Sequence, residues 1–174
     1  MPRMLSVSRK LMTRLALVYS ETAAASGVFA QFDPERRKLM ASTKQKLDSP
    51  QALFVHELSD IRSAETIILT MLEEASEAVS STQLKAGLKA HQKQTKQHLA
   101  NVDKVFKLIG EKAKSIECKG AKGLHAEAKE AIKGKPAPEI LDSMIASGAM
   151  KTEHYEIVSY EGLVDQAKSL GYSE

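Results

Sequence analysis

Apolar residues recur at intervals of three and four along most of the chain after residue 48, the spacing that places them on one face of an α-helix. This pattern predicts three long helices, over 50–79, 82–109 and 138–170, and a shorter helix over about 121–132. At 1.5 Å per residue, each long helix would measure roughly 42–50 Å. Three rods of similar length, with a short helix in one connection, are typical of a helical bundle, so we predict an all-α fold.

Residues that start and stop helices support these boundaries. Ser49 is suited to the N-cap of the first helix, and Pro50 to its first helical position. Gly110 and Gly171 follow the ends of the second and third long helices, where a glycine commonly closes a helix. The predicted break between the first two helices is the polar segment 80–82.

Each long helix carries polar residues at the middle of its apolar face. In the first helix that face consists of Phe54, Leu58, Ile61, Glu65, Ile68 and Leu72. In the second it consists of Leu84, Leu88, His91, Thr95, His98 and Val102. In the third, Glu153 and Glu156 are three residues apart and therefore share a face.

Polar groups at mid-height of three apolar faces have two interpretations. A carboxylate in an apolar seam is costly unless it is paired, hydrogen-bonded or bound to a metal, and carboxylates with imidazoles are the ligands of iron and manganese sites inside bundles. The alternative is structural, because a histidine on an apolar face is often a hydrogen-bonded core residue and the glutamates could face solvent. Spacing alone leaves both interpretations open.

Composition excludes several classes of protein. Of 174 residues 43% are hydrophobic, with only 9 glycines and 5 prolines, which favours long helices over turn-rich β folds. The single cysteine, Cys118, rules out an internal disulfide, so a cytoplasmic location is expected rather than a stapled secreted scaffold. No apolar run approaches the ~18 residues that would span a bilayer, so no membrane association is expected. No nucleophile constellation appears, which leaves open whether the chain is an enzyme.

The net charge of +3 is unevenly distributed. Six lysines and one acidic residue lie within 85–107, a pattern typical either of a nucleic-acid-binding face or of the solvated side of an amphipathic helix. The lack of arginine and of interleaved aromatic residues favours the solvated side. Nucleic-acid binding is therefore not expected.

The segment 1–47 differs from the rest of the chain. It is basic, and its apolar residues between 5 and 18 could form one face of a short helix. We interpret it as an accessory extension, either disordered or a short helix, rather than a targeting peptide, because Arg14 interrupts the apolar region. A third interpretation is that Met40 is the true initiator. The remaining residues, 48–174, form the predicted domain.

Six short segments in the domain resemble the YciF/YciE family of ferritin-like bacterial stress proteins. The run 53–61, LFVHELSDI, is similar to the family's opening helix, and 81–88 resembles its "SPELKAAF" segment. His91 with Gln94 and Thr95 resembles "HLEET", while 105–110 and 117–124 match a helix end and a connection. The most specific motif is EHYEI at 153–157 with Tyr160, similar to "EHYEIAxY". The resemblance covers about 49–173.

The resemblance implies a four-helix ferritin-like bundle, usually dimeric, with a di-iron site in its interior and a role in stress responses. Carried over by position, the metal-ligand candidates are Glu57, Asp60, Glu65, His91, Glu153, His154 and Glu156. We therefore expect a homodimer and a site for iron or manganese.

Two departures from the family pattern give a second hypothesis. Gln94 stands where the family usually has a glutamate, and a neutral amide is a poor iron ligand. The family also continues into a fourth acidic helix, which this chain lacks after Gly171, so we expect a bundle of three long helices. The alternative function is accordingly a non-catalytic helical interaction module, or a degenerate family member without metal.

Overall fold

The computed structural model describes residues 47–172, and these residues form four α-helices. They are α1 (Pro50–Ala78), α2 (Thr82–Leu108), α3 (Lys119–Lys133) and α4 (Pro138–Ser169). The all-α architecture of three long helices and one short connecting helix is confirmed. The extension predicted over 1–47 lies outside the described residues except for Leu47.

The helix ends follow from the residues that cap them. The Ser49 hydroxyl accepts a hydrogen bond from the Ala52 amide at 3.1 Å, which satisfies one of the free N–H groups at the start of α1. The Ser81 hydroxyl does the same for α2, accepting from Leu84 at 3.2 Å. Gly110 lies beyond the end of α2 with φ +69°, a left-handed conformation that a glycine adopts without strain.

Helix α1 is the centre of the fold, since α2, α3 and α4 all pack against it. Its apolar side chains Phe54, Leu58, Ile61 and Ile68 are at most 1% exposed. The α2–α3 connection is fixed to α1 by serine side chains: the Ser59 hydroxyl accepts from the Lys114 amide, and the Ser63 hydroxyl from the Cys118 amide, both at 3.0 Å. The middle of α1 is thus held between α2 and α4, where a buried side chain can meet groups from both.

A carboxylate ties the start of α4 to the α1–α2 turn. Asp142 accepts hydrogen bonds from the Ser80 amide and hydroxyl, both at 2.8 Å, and from the Ser81 amide at 2.9 Å. These bonds hold the pKa of Asp142 below its ordinary value, against the opposing effect of burial. They also fix the position of α4 along the bundle relative to α2. Among the helices of residues 47–172, none is both long and apolar enough to cross a membrane.

Candidate metal centre

Five buried ionisable side chains meet at mid-height of the three long helices. Glu65 comes from α1, His91 and His98 from α2, and Glu153 and Glu156 from α4, and each is at most 6% exposed. The α2 histidines are seven residues apart, two helical turns, and therefore point to the same side. The α4 glutamates are three residues apart and are neighbours on one face. The periodicity of each helix thus explains why these groups converge.

The five side chains form two groups of three that share Glu156. In one group, His91 Nε2 lies 3.2 Å from Glu153 Oε1 and 3.3 Å from Glu156 Oε2. In the other, His98 Nδ1 lies 3.3 Å from Glu65 Oε1 and 3.6 Å from Glu156 Oε1. The two oxygens of Glu156 therefore face different histidines.

Most of the carboxylate oxygens and imidazole nitrogens that could bind a metal in this cluster have no hydrogen-bond partner among the described residues. These atoms are Glu65 Oε2, His98 Nδ1, Glu153 Oε2 and both Glu156 oxygens. The imidazole nitrogens lie 3.2–3.6 Å from the carboxylate oxygens, at or beyond the long end of the usual N–H···O hydrogen-bond range. Two ligands bound to one metal at ~2.1 Å would be separated by about 3.0–3.4 Å, close to these distances. The arrangement is therefore compatible with a metal site.

Tyr160 supports one side of the cluster. Its hydroxyl donates a hydrogen bond to Glu65 Oε1, and its ring contacts His98 edge-on with ring centroids 5.9 Å apart. The side chain is completely buried, and burial raises the pKa of its hydroxyl well above the ordinary value, so Tyr160 stays neutral and remains a donor. It fixes the orientation of Glu65 without being charged itself.

Burial and neighbouring charges shift the pKa values of the cluster in opposite directions. Burial, together with the Glu156 carboxylate, raises the pKa of Glu65 to about 7. Burial opposes protonation of His98, but the carboxylates of Glu156 and Glu65 outweigh it and raise the pKa of that imidazole to about 10. For Glu156, burial is outweighed by the two imidazoles, which lower its pKa. At neutral pH without metal, His98 therefore carries a proton that a metal ion would have to displace.

The structure brings together four of the seven candidates carried over from the family resemblance: Glu65, His91, Glu153 and Glu156. The other three lie outside the cluster. Asp60 accepts a hydrogen bond from the Tyr155 hydroxyl at 3.3 Å, and the exposed His154 donates through Nδ1 to the Met150 carbonyl at 2.8 Å. Glu57 is half-buried at a different position on α1.

His98 is the cluster residue that was missing from the sequence candidates. It stands on the polar middle of the α2 face, seven residues after His91, so the signal was present in the spacing. The family motif instead contains His91 and the residues close to it, so the resemblance indicates candidate ligands on only one turn of α2. Only the packing of α2 against α1 shows that a histidine two turns later reaches Glu65.

Comparison with known proteins agrees with the resemblance seen in the motifs. Protein YciF of Escherichia coli (strain K12) is 35% identical over 121 residues, which are 69% of this chain and 73% of YciF. The structure of the E. coli stress protein YciF matches with TM-score 0.70 and 33% identity, covering 72% of this chain and 80% of that one. YcfI from Rhodopseudomonas palustris matches with TM-score 0.72 and 31% identity, covering 75% of this chain and 83% of that one. The family described as a domain of unknown function, DUF892, matches residues 49–174, and the chain belongs to this YciF-like family.

Proposed function

We propose that the chain is a metal-binding stress protein whose buried cluster holds two metal ions. The observation that carries the proposal is the set of buried carboxylate and imidazole atoms without hydrogen-bond partners among residues 47–172. His91 and Glu153 would bind one ion, Glu65 and His98 the other, and Glu156 would bridge them. Burying this many ionisable groups is unfavourable unless they are paired or bind metals, and the contacts between them replace few of the lost hydrogen bonds.

The donor set suits iron or manganese, the metals expected from the family resemblance. Three carboxylates and two imidazoles are ligands of intermediate to hard character, which suit Fe, Mn and Zn rather than Cu(I). The buried thiol of Cys118, the single cysteine, lies 2.9 Å from the Tyr155 hydroxyl and outside the cluster, so no thiolate is among the candidate ligands. Iron would supply redox chemistry with O₂ or peroxide. The protein's own contribution would be to orient the ligands through Tyr160 and to keep bulk water away from them.

The test is an anaerobic titration with Fe(II) and Mn(II), followed by metal analysis of the desalted protein. We expect two ions per chain in the wild type and less than one in Glu156→Gln, because that change removes the shared charge from both positions. His154→Gln is the matched control on the same helix, since His154 is exposed and outside the cluster, and it should retain two ions. A wild-type protein that retains no stoichiometric metal would overturn the proposal.

The alternative of a non-catalytic interaction module rests on the surface of α4. Its exposed apolar residues are Ile140, Met144, Met150 and Val158, between 47% and 67% exposed. Such residues are common at contacts between copies of a chain. The resemblance to the family adds dimerisation to the proposal, and the single cysteine adds a cytoplasmic location. Light scattering of the full chain should give the mass of a dimer. A metal-free dimer would favour the interaction module, whereas a metal-free monomer would contradict both functions.

A further inference from the structure

Most hydroxyl side chains inside the helices donate a hydrogen bond to the backbone of their own helix, and Thr95 does not. Seven helical serines and threonines donate to the carbonyl four residues earlier, the usual local bond of a hydroxyl within a helix. They are Ser59, Thr66, Thr70, Ser143, Thr152, Ser159 and Ser169. Thr95 is 0% exposed, yet its hydroxyl has no hydrogen-bond partner among residues 47–172.

The position of Thr95 on α2 places this hydroxyl on the same helix face as the two histidines of the cluster. Thr95 follows His91 by four residues and precedes His98 by three, so all three share one face of α2. It thus stands between the two groups that Glu156 connects. A buried hydroxyl without a partner is unfavourable, and its own helix offers the His91 carbonyl, which it does not use.

We propose that Thr95 is a positioning residue whose hydroxyl would donate a hydrogen bond to a small exogenous ligand, such as water or hydroxide, on metal held by the cluster. This inference rests on the proposed function. Each group supplies three protein ligands, fewer than iron or manganese ordinarily takes, so the coordination of both ions leaves room for an exogenous ligand. Such a ligand would give the Thr95 hydroxyl the acceptor that the protein does not provide.

If the Thr95 hydroxyl only supported packing, its removal would destabilise the metal-free protein, so the stability of the metal-free protein distinguishes the two roles. Valine has the shape of threonine without the hydroxyl, so Thr95→Val removes a group that has no partner and should leave the melting temperature of the metal-free protein unchanged or higher. The matched control is Thr152→Val, because Thr152 is equally buried but donates to the Gly148 carbonyl at 2.9 Å. That variant should melt at a lower temperature than Thr95→Val.

The deciding experiment uses azide as the probe ligand on Fe(III)-loaded protein, after measurement of the metal content of each variant. Thr95→Val should retain two iron ions but bind azide about tenfold more weakly, the effect of losing one hydrogen bond. Thr95→Ser keeps the donor and should restore azide binding.

Equal azide affinity in the wild type and Thr95→Val, with two iron ions in each, would overturn the role of Thr95 while leaving the metal site intact. A wild type without iron would instead overturn the proposed function, and the role of Thr95 with it. A metal-free Thr95→Val variant that melts below Thr152→Val would show that the hydroxyl supports the fold rather than a ligand.

Discussion

Replacing Tyr160 by phenylalanine tests whether the cluster is organised from outside its ligands. The change removes one oxygen from a completely buried side chain and keeps the ring that packs on His98. Glu65 would lose the donor to its Oε1, while its Oε2 already has no partner among the described residues. The variant therefore isolates a single hydrogen bond to a buried carboxylate.

The size of the effect depends on the charge of Glu65. A hydrogen bond to a charged group contributes about 1.5–3 kcal/mol to stability, and a buried acceptor left without its donor lies toward the upper end. Because the pKa of Glu65 is raised to about 7, its carboxylate is mostly ionised at pH 8.5 and mostly protonated at pH 5.5. We expect Tyr160→Phe to lower the free energy of unfolding of the metal-free protein by about 2–3 kcal/mol at pH 8.5, and by less at pH 5.5.

The assay is urea unfolding followed by circular dichroism, with and without Mn(II). Tyr155→Phe is the matched control on the same helix, because its half-buried hydroxyl contacts Cys118 and Asp60 rather than the cluster. A metal ion on Glu65 would replace the lost donor, so the effect of Tyr160→Phe should shrink to about 1 kcal/mol with Mn(II), while that of Tyr155→Phe stays constant. Equal effects of Tyr160→Phe with and without metal would refute the reasoning.

Two further predictions concern His98 in the cluster and the glycines of α3. Metal binding at pH 7 should release at least one proton per chain, because the pKa of His98 is about 10 in the metal-free cluster, and metal affinity should therefore rise with pH. Calorimetry in buffers of different ionisation enthalpy measures the number of protons released. Binding without proton release would contradict a protonated His98. A Cβ on Gly120 would lie 2.7 Å from the Tyr155 ring, so Gly120→Ala should destabilise the fold by roughly 1–3 kcal/mol. A Cβ on Gly123 in the same helix would have no atom within 4 Å, so Gly123→Ala should instead stabilise the fold by up to ~1 kcal/mol. Thermal unfolding of the two variants measures both effects. A Gly120→Ala variant more stable than Gly123→Ala would show that α3 shifts to relieve the clash.

The helices could be predicted from the sequence because their determinants are local. The apolar period, the Ser49 cap and the glycines after α2 and α4 act within a few residues of the boundaries that they set. The predicted and observed ends of the long helices therefore agree to within one residue. The start of α3 was predicted at residue 121, two residues late, because the cap there is the thiol of Cys118, an unusual capping group.

The cluster could be predicted only in part, because it depends on contacts between distant parts of the chain. Glu65 stands out as a charged residue in an apolar face, and Glu153 with Glu156 as a pair that shares one face, signals that each helix carries alone. The choice among His91, His98 and His154 instead requires the register of α2 and α4 against α1. Spacing shows on which face of its helix a histidine lies. It does not show the position of that histidine along the bundle relative to a carboxylate 30 or more residues away in the chain.

In the metal-free cluster, protonation lowers the free-energy cost of burying several charged groups together. The raised pKa of Glu65 and the protonated state of His98 reduce the net charge among three carboxylates and two imidazoles, so protons partly neutralise the site. Protons neutralise the site only in part, because neither Glu156 oxygen has a hydrogen-bond donor at good distance and angle among the described residues. A metal ion in each group would use those oxygens and release the protons. The same side chains that weaken the metal-free bundle would then stabilise the metal-bound one, which couples the stability of this fold to the supply of metal.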